Sequence, residues 1–219
     1  MKTIQQQQQA EILNIIDCGI EDYSQILNKQ LDLCSKRQLA QIGNTVLLVE
    51  HKPVITLGVR QRANKLVLDK QELAEKGIDV VEVRRGGGVT AHNPGQVIFY
   101  PIVNLKELGI GISDYVRTLE QVGIELLRFF DVSAGRRKGY PGLWIGEKKI
   151  ASIGVRVSKS VTYHGMAINI NNDLSIFDYI VPCGLENVKM TSVFAETGKQ
   201  IPMHQIKQQL KKILNRFLK

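Results

Sequence analysis

The chain has 219 residues, with 29 lysines and arginines against 21 aspartates and glutamates, and a formal net charge of +8 at pH 7. Its length fits one large domain or two small ones. The composition, with 43% hydrophobic and 23% charged residues, excludes fibrous, collagenous and wholly disordered proteins. The positive charge leaves nucleic acid, a membrane surface or an acidic protein open as the partner.

Residues 1–20 are predicted to form a flexible tail, because the five glutamines at 5–9 cannot join a packed core. This segment lacks the apolar region of a secretory signal, and no stretch reaches the ~18–20 apolar residues of a membrane span. The three cysteines, Cys18, Cys34 and Cys183, are odd in number and have no metal-ligand spacing. We therefore expect a cytoplasmic protein without disulfides or a metal.

The first predicted helix covers residues 21–42, where Leu27, Leu31 and Cys34 recur at helical spacing, so Cys34 is interpreted as a small buried hydrophobe. Alternation and turn residues predict strands at 46–51, 54–58, 78–84, 96–103, 143–146, 149–157 and 163–170. Further helices are predicted at 69–76, 113–130 and 203–219. Because strands and helices mix without strict alternation, the predicted fold class is α+β with a sizeable mixed sheet.

A glycine-rich loop at 84–96, with the sequence RRGGGVTAHNPGQ, follows a predicted strand. Three successive glycines let the backbone approach a ligand closely and can direct amides at a polar group. The loop has neither the Gly-Lys-Ser/Thr of a P-loop nor the spacing of a dinucleotide fingerprint. Since loops without a binding role also use glycine, the surrounding Arg, Thr, His and Gln side chains are what favour a binding site.

Lys149 begins the predicted strand 149–157, in which every second side chain points to the same face. The residues predicted to share its face are Ala151, Ile153, Val155 and Val157. Desolvation on this apolar face would favour the neutral amine and make Lys149 a possible base. A lysine that extends from the strand end into solvent is an equally weighted alternative, and a bulge would reverse the assignment.

Cys183 lies between Pro182 and Gly184, which favours an ordered turn over a strand or a helix. A free thiol of pKa ~8.5 is only a few per cent thiolate at neutral pH, and a nearby cation could lower that pKa. A pair of Cys183 and Lys149 is therefore chemically coherent, although their spacing does not bring them together.

The histidines have no catalytic spacing. His164 is two residues before Met166 in a predicted strand, so both side chains are predicted to point to the same face, and His164 is interpreted as an inward histidine with its hydrogen bonds satisfied. His51 and His204 are interpreted as surface or structural residues. The lysines of the last helix, Lys207 among them, are predicted to form a solvated face.

Four segments, at 47–58, 84–102, 142–170 and 173–193, together resemble the lipoyl/octanoyl transferase family, which moves octanoyl from acyl carrier protein to lipoyl domains. The order and separation of the segments agree as well as their residues. The resemblance implies the α+β catalytic fold shared with biotin and lipoate ligases. It also implies a single catalytic domain over 21–219, with a smaller C-terminal part from about residue 175.

By this resemblance Cys183 is the acyl-accepting nucleophile, and Lys149 lowers its pKa and transfers protons. The residues implied to bind substrate are Arg85, Gly86, Gly87, Gly88, Val89, Thr90, Ala91, His92, Ser152, Ile153, Gly154, Gly165, Met166 and Ala167. Ala91 and Asn93 stand where the family has tyrosine and glycine, so we expect a local change in pocket shape. No cofactor is implied.

The implied partners are octanoyl-acyl carrier protein as the donor and lipoyl domains of 2-oxoacid dehydrogenases and the glycine cleavage H protein as acceptors. The positive charge suits these acidic carriers better than nucleic acid or a membrane, and a monomer is expected. Two alternatives stay open. One is an ATP-dependent lipoate–protein ligase, which needs no thiol; the other is a non-catalytic acyl- or carrier-protein-binding module, motivated by residues 91 and 93.

Overall fold

Two β-sheets and five α-helices organise residues 13–181 and 188–218, which the computed structural model describes. The strands are β1 (Asn14–Glu21), β2 (Thr45–His51), β3 (Val54–Leu57), β4 (Asp79–Glu82), β5 (Thr90–His92), β6 (Gln96–Ile102), β7 (Gly135–Arg137), β8 (Tyr140–Ile145), β9 (Lys148–Ser158), β10 (Val161–Asn169) and β11 (Lys189–Met190). The helices are α1 (Tyr23–Gln38), α2 (Lys70–Glu75), α3 (Ile112–Phe129), α4 (Val193–Thr197) and α5 (Met203–Phe217).

The large sheet has the strand order β1-β2-β6-β10-β9-β8-β7, with β11 beside β9. β1 pairs with β2 in parallel and β11 pairs with β9 in parallel, whereas the other neighbours are antiparallel. Its central strands β2, β6 and β10 are buried along their whole length, because α3 and α5 cover one face and α1 covers the other. The predicted α+β class with a mixed sheet is confirmed.

The small sheet, in the order β4-β3-β5, carries the glycine loop between β4 and β5. The predicted short helix is present as α2, where Asp69 and Glu72 form a complete capping box. Among the residues that the structure describes, no helix has the length and apolar character needed to cross a membrane.

The prediction of a flexible tail over 1–20 is wrong for its last part, because β1 starts at Asn14 and pairs with β2 from Thr45 onward. Ile15 packs against the core on one face of the sheet and Ile16 against the core on the other. Alternating apolar side chains at the sheet edge therefore order this segment. Residues 1–12 lie outside the described part of the chain.

Leu31, which the spacing placed on the apolar stripe of the first helix, is 46% exposed instead. In α1 the buried stripe runs through Gln30 and Cys34, one position away from Leu31. Gln30 is buried because its side-chain carbonyl accepts the main-chain N–H of His164 at 2.7 Å. The predicted burial of Cys34 is confirmed.

Lys207 of α5 is buried and not part of a solvated face, contrary to the prediction. Its Nζ lies 3.1 Å from a carboxylate oxygen of Glu50 and 3.2 Å from one of Asp17, which joins α5 to β1 and β2. Glu50 is itself buried and also accepts the N–H of Gly95 at 3.0 Å. This charge set fixes the C-terminal helix to the sheet edge.

Replacement of Lys207 by methionine is expected to lower the free energy of unfolding by about 3 kcal/mol, because it leaves the Glu50 carboxylate buried without its cation. Urea denaturation measures the change. The exposed Lys212 of the same helix provides the matched control, and Lys212→Met is expected to change stability by less than ~0.5 kcal/mol. Equal effects of the two substitutions would contradict the ion-pair role.

Candidate active site

A half-open cavity of about 600 Å³, its mouth included, lies between the glycine loop and strands β9 and β10. Most of the residues that the sequence assigned to substrate binding line it, namely Arg85, Gly87, Gly88, Val89, Thr90, His92, Ser152, Ile153, Gly154, Gly165, Met166 and Ala167. The structure thus brings three separate sequence segments together around one cavity.

The Arg85 guanidinium holds the glycine loop in place. It donates to the main-chain oxygen of Gly88 at 2.7 Å and to the main-chain oxygen and hydroxyl of Thr56, each at 2.7 Å. Gly88 cannot carry a side chain, since a Cβ there would lie 2.5 Å from Ala63. A buried cation therefore ties the loop to β3, and the loop backbone forms a wall of the cavity.

Two residues of the predicted set do not line the cavity. Gly86 uses its N–H to bond the Val155 carbonyl of β9 at 2.9 Å. Ala91 packs in a core cluster with Ile55 and Leu73, because alternation along β5 turns it away from Thr90 and His92. The second departure from the family pattern, Asn93, bonds the Asp173 carbonyl at 2.8 Å.

Lys149 enters the cavity because β9 contains a bulge. Leu143 pairs with Ala151 and Trp144 with Lys149, so Ile150 is an extra residue on β9. Lys149 consequently lines the cavity together with Ser152, while Ala151 packs in the core. The prediction that Lys149 and Ala151 share a face is wrong, and the bulge is the physical reason.

The Lys149 side chain, 3% exposed as a residue, is confined by its neighbours on β8. Gly142 has φ +118°, and a Cβ at this position would meet Lys149 Cε at 2.9 Å, so the lysine stem crosses the space that a side chain would occupy. Glu120 accepts the N–H of Gly142 at 3.3 Å. The Lys149 ammonium lies 5.2 Å from the centre of the Trp144 ring, which is cation–π distance.

Cys183, the predicted nucleophile, lies outside the described residues, which stop at 181 and resume at 188. On the C-terminal side, Met190 pairs with Lys149 through β11 and lines the cavity. On the N-terminal side, Ile180 forms a bridge with Leu66. The roles of Cys183 and Lys149 remain predictions.

A cluster of five rings, Tyr23, His51, His92, Tyr100 and His164, is buried beside the cavity, and all of them except His51 line it. The Tyr23 ring stacks on His92 at 5.9 Å and lies 4.9 Å from His51, which shares a 2.9 Å hydrogen bond with the Tyr100 hydroxyl. His92 donates from Nδ1 to the Gln96 side-chain oxygen at 2.7 Å.

Burial keeps these histidines neutral. It lowers the pKa of His51 to about 4, and with the nearby His51 it lowers the pKa of His92 to about 3. Burial, with Arg85 as a second cause, lowers the pKa of His164 to about 3. Burial also raises the pKa of Tyr23 to about 12. The cluster is thus an uncharged polar surface at neutral pH.

Sequence reasoning missed several residues of the cavity wall: Tyr23, Ile98, Tyr100, His164 and Met190. His164 was predicted to be satisfied, but its Nε2 has no hydrogen-bond partner among the described residues. Its φ of +57° interrupts the simple alternation of β10 that the prediction assumed. Tyr23 carries no local signal, because only packing of α1 against the sheet brings it to the cavity.

Residues 22–215 match the family model of the lipoyl protein ligase A/B catalytic domain. An octanoyltransferase from Desulfovibrio desulfuricans is 46% identical over 157 residues, which cover 72% of this chain and 66% of the relative. An octanoyltransferase from Chloroflexus aggregans is 42% identical over 201 residues, which cover 90% of this chain and 91% of the relative. A bi-partite lipoate protein ligase from Thermoplasma acidophilum superposes with a TM-score of 0.71 at 15% identity, over 94% of this chain and 83% of the other, which shows the shared fold.

The neutral histidines make stability depend on pH. Their pKa values are lower in the folded chain than the ordinary 6.5 of an unfolded one. The unfolded state therefore binds more protons below pH 6.5, and the free energy of unfolding is expected to decrease as the pH falls from about 6.5 towards 4.

Urea titrations at several pH values test this dependence. His92→Gln is expected to reduce the slope of stability against pH by about 1 kcal/mol per pH unit within that range. The matched control is the exposed His204, replaced in the same way, with no expected change of slope. A wild-type stability that stays constant between pH 7 and 5 would contradict the neutral burial of the cluster.

Proposed function

The chain belongs to the family of lipoyl protein ligase A/B catalytic domains and is an octanoyltransferase, and from this premise we propose that it carries the octanoyl group as a thioester on Cys183. The proposed donor is octanoyl-acyl carrier protein, and the proposed acceptor is the lysine of a lipoyl domain. The observation that supports this route best is Lys149, a buried lysine in the cavity wall, paired through β11 with Met190, a residue shortly after Cys183.

In the first step, Lys149 takes the proton of the Cys183 thiol. The thiolate attacks the carbonyl carbon of the donor thioester, and a new carbon–sulfur bond forms on Cys183 as the bond to the carrier breaks. The carrier thiolate leaves and takes the proton back from Lys149. One thioester is exchanged for another, so the step is nearly isoenergetic and needs no ATP.

In the second step, the amine of the acceptor lysine attacks the Cys183 thioester and forms an amide. Lys149 removes a proton from the attacking nitrogen, and Cys183 leaves as the thiol after taking that proton. In both steps negative charge develops on the carbonyl oxygen. The N–H donors proposed for it are those of Gly87 and Gly88, whose main chain lines the cavity.

The immobile setting of Lys149 suits a proton carrier. Its stem crosses Gly142 and its ammonium faces the Trp144 ring, so few rotamers are open to it. A group held in its reactive position does not have to be ordered during the reaction. This setting distinguishes Lys149 from the adjacent Lys148, which is about half exposed and pairs with Glu196.

The acyl chain is proposed to lie along β9 and β10 against Val89, Ile98 and Met166. Burial of about six methylenes at ~0.8 kcal/mol each supplies about 5 kcal/mol of binding, which favours medium over short acyl groups. A cytoplasmic monomer that attracts acidic carrier domains through its net charge of +8 is part of the same proposal.

Intact-mass measurement tests the thioester. Wild-type protein incubated with octanoyl-acyl carrier protein and no ATP is expected to gain one octanoyl group that hydroxylamine removes, and Cys183→Ala is expected to gain none. The matched control is Cys18→Ala, which removes a partly exposed thiol outside the cavity. An adduct that persists in Cys183→Ala, or a reaction that requires ATP, would contradict the proposal.

Replacement of Lys149 by methionine, which keeps the length of the stem, is expected to slow acylation of Cys183 at least a hundredfold, as is typical for loss of a general base. Lys148→Met is the matched control and is expected to retain a rate within twofold of wild type. Rapid-quench mass spectrometry gives both rates. A Lys149→Met protein that is acylated at the wild-type rate would remove this lysine from the mechanism.

A further inference from the structure

We propose that Tyr23 and His164 form a polar cap at the end of the acyl cavity opposite Lys149 and that this cap sets the length of the acyl chain. The inference rests on the proposed function, because it takes the reacting carbonyl to lie beside Lys149. It assigns chain-length selection to two residues of the ring cluster.

The distance along the sheet fits this role. His164 pairs with Val155 on β9, six residues after Lys149, and the bulge takes up one of those steps. Five steps of ~3.3 Å give about 17 Å between the two levels of the cavity. An extended octanoyl group takes roughly 9 Å of this length. A hydrogen bond of ~3 Å at the Lys149 end and a contact of ~4 Å at the cap take most of the remainder.

The cap is polar and has an unmet hydrogen bond. His164 is 1% exposed, its Nδ1 lies 3.4 Å from the Tyr23 hydroxyl, and its Nε2 has no partner within the described ranges. A buried polar nitrogen of this kind requires a water molecule or a polar ligand atom. An octanoyl group ends in van der Waals contact with the cap and leaves Nε2 able to bind a water molecule beside the chain end. A longer chain would displace this water with methylene groups that cannot replace its hydrogen bonds.

The cap is also held from behind. The main-chain N–H of His164 donates to Gln30 at 2.7 Å, and its ring packs at 6.3 Å from the Tyr100 ring. Tyr23 is stacked on His92 and packed against His51. Neither ring can move aside without breaking contacts that come from α1, β2, β5 and β6. The end of the cavity is therefore a fixed wall.

Two variants test the cap with octanoyl- and decanoyl-acyl carrier protein as donors. His164→Asn shortens the side chain and keeps a residue type that tolerates the positive φ. It is expected to raise the decanoyl-to-octanoyl ratio of kcat/KM about tenfold, the value of two newly buried methylenes. Tyr23→Phe removes only the hydroxyl and is expected to raise the ratio about threefold.

His204→Asn is the matched control, because His204 is an exposed histidine of α5 that neither lines the cavity nor contacts the ring cluster. It is expected to leave the ratio within twofold of wild type. If His164→Asn does not fold, Tyr23→Phe alone decides.

The outcomes separate the two proposals. Octanoyl transfer by wild type with an unchanged or lowered decanoyl-to-octanoyl ratio in the folded variants would overturn the cap and leave the proposed function intact. A wild-type protein that accepts neither donor onto Cys183 would overturn the proposed function and the cap together.

Discussion

The β-bulge at Ile150 is the constraint on which the arrangement of the cavity depends. In a regular strand Lys149 would share a face with Ala151, which packs in the core, and its amine would have no route to the cavity. The extra residue reverses this relation and directs Lys149 to the side of Ser152. Gly142 then provides the space for the lysine stem, and the Trp144 ring, 5.2 Å from the lysine nitrogen, is able to stabilise the cation that forms when the lysine takes up a proton. A single inserted residue thus places the one cavity side chain that the proposed chemistry needs as a base.

Charge around the cavity is compensated in two ways. The Arg85 guanidinium lines the cavity, but its N–H groups donate to the main-chain oxygens of Gly88 and Thr56 and to the Thr56 hydroxyl. These hydrogen bonds hold the glycine loop in place. Around the five rings, burial removes charge altogether by keeping the histidines neutral. Lys149, the proposed base, therefore has few competing charges among the described residues that line the cavity. A low-dielectric, water-poor site strengthens each electrostatic contact made to the reacting carbonyl.

The sequence predicted most of the elements, because apolar alternation and the Asp69–Glu72 capping box are local signals. It also grouped the cavity walls correctly through the family resemblance, since the segments around Arg85, Ser152 and Gly165 do meet. It failed where tertiary packing decides. The bulge has no local signature, Tyr23 reaches the cavity only because α1 packs across the sheet, and Lys207 is buried by two carboxylates from distant strands. The sequence did not predict the strand β1, because the glutamine-rich segment before it dominates the local composition.

The two departures from the family pattern have less effect on the cavity than the sequence suggested. A non-catalytic binding module was a reasonable alternative only if Ala91 and Asn93 altered the pocket wall. Ala91 faces a core cluster on the other side of β5, and Asn93 is occupied by a bond to the Asp173 carbonyl and by one from Asn172. The side chains of β5 that do line the cavity are those of Thr90 and His92. The alternative therefore loses the observation that motivated it, and the acyl-transfer chemistry proposed here requires no compensating change elsewhere in the cavity.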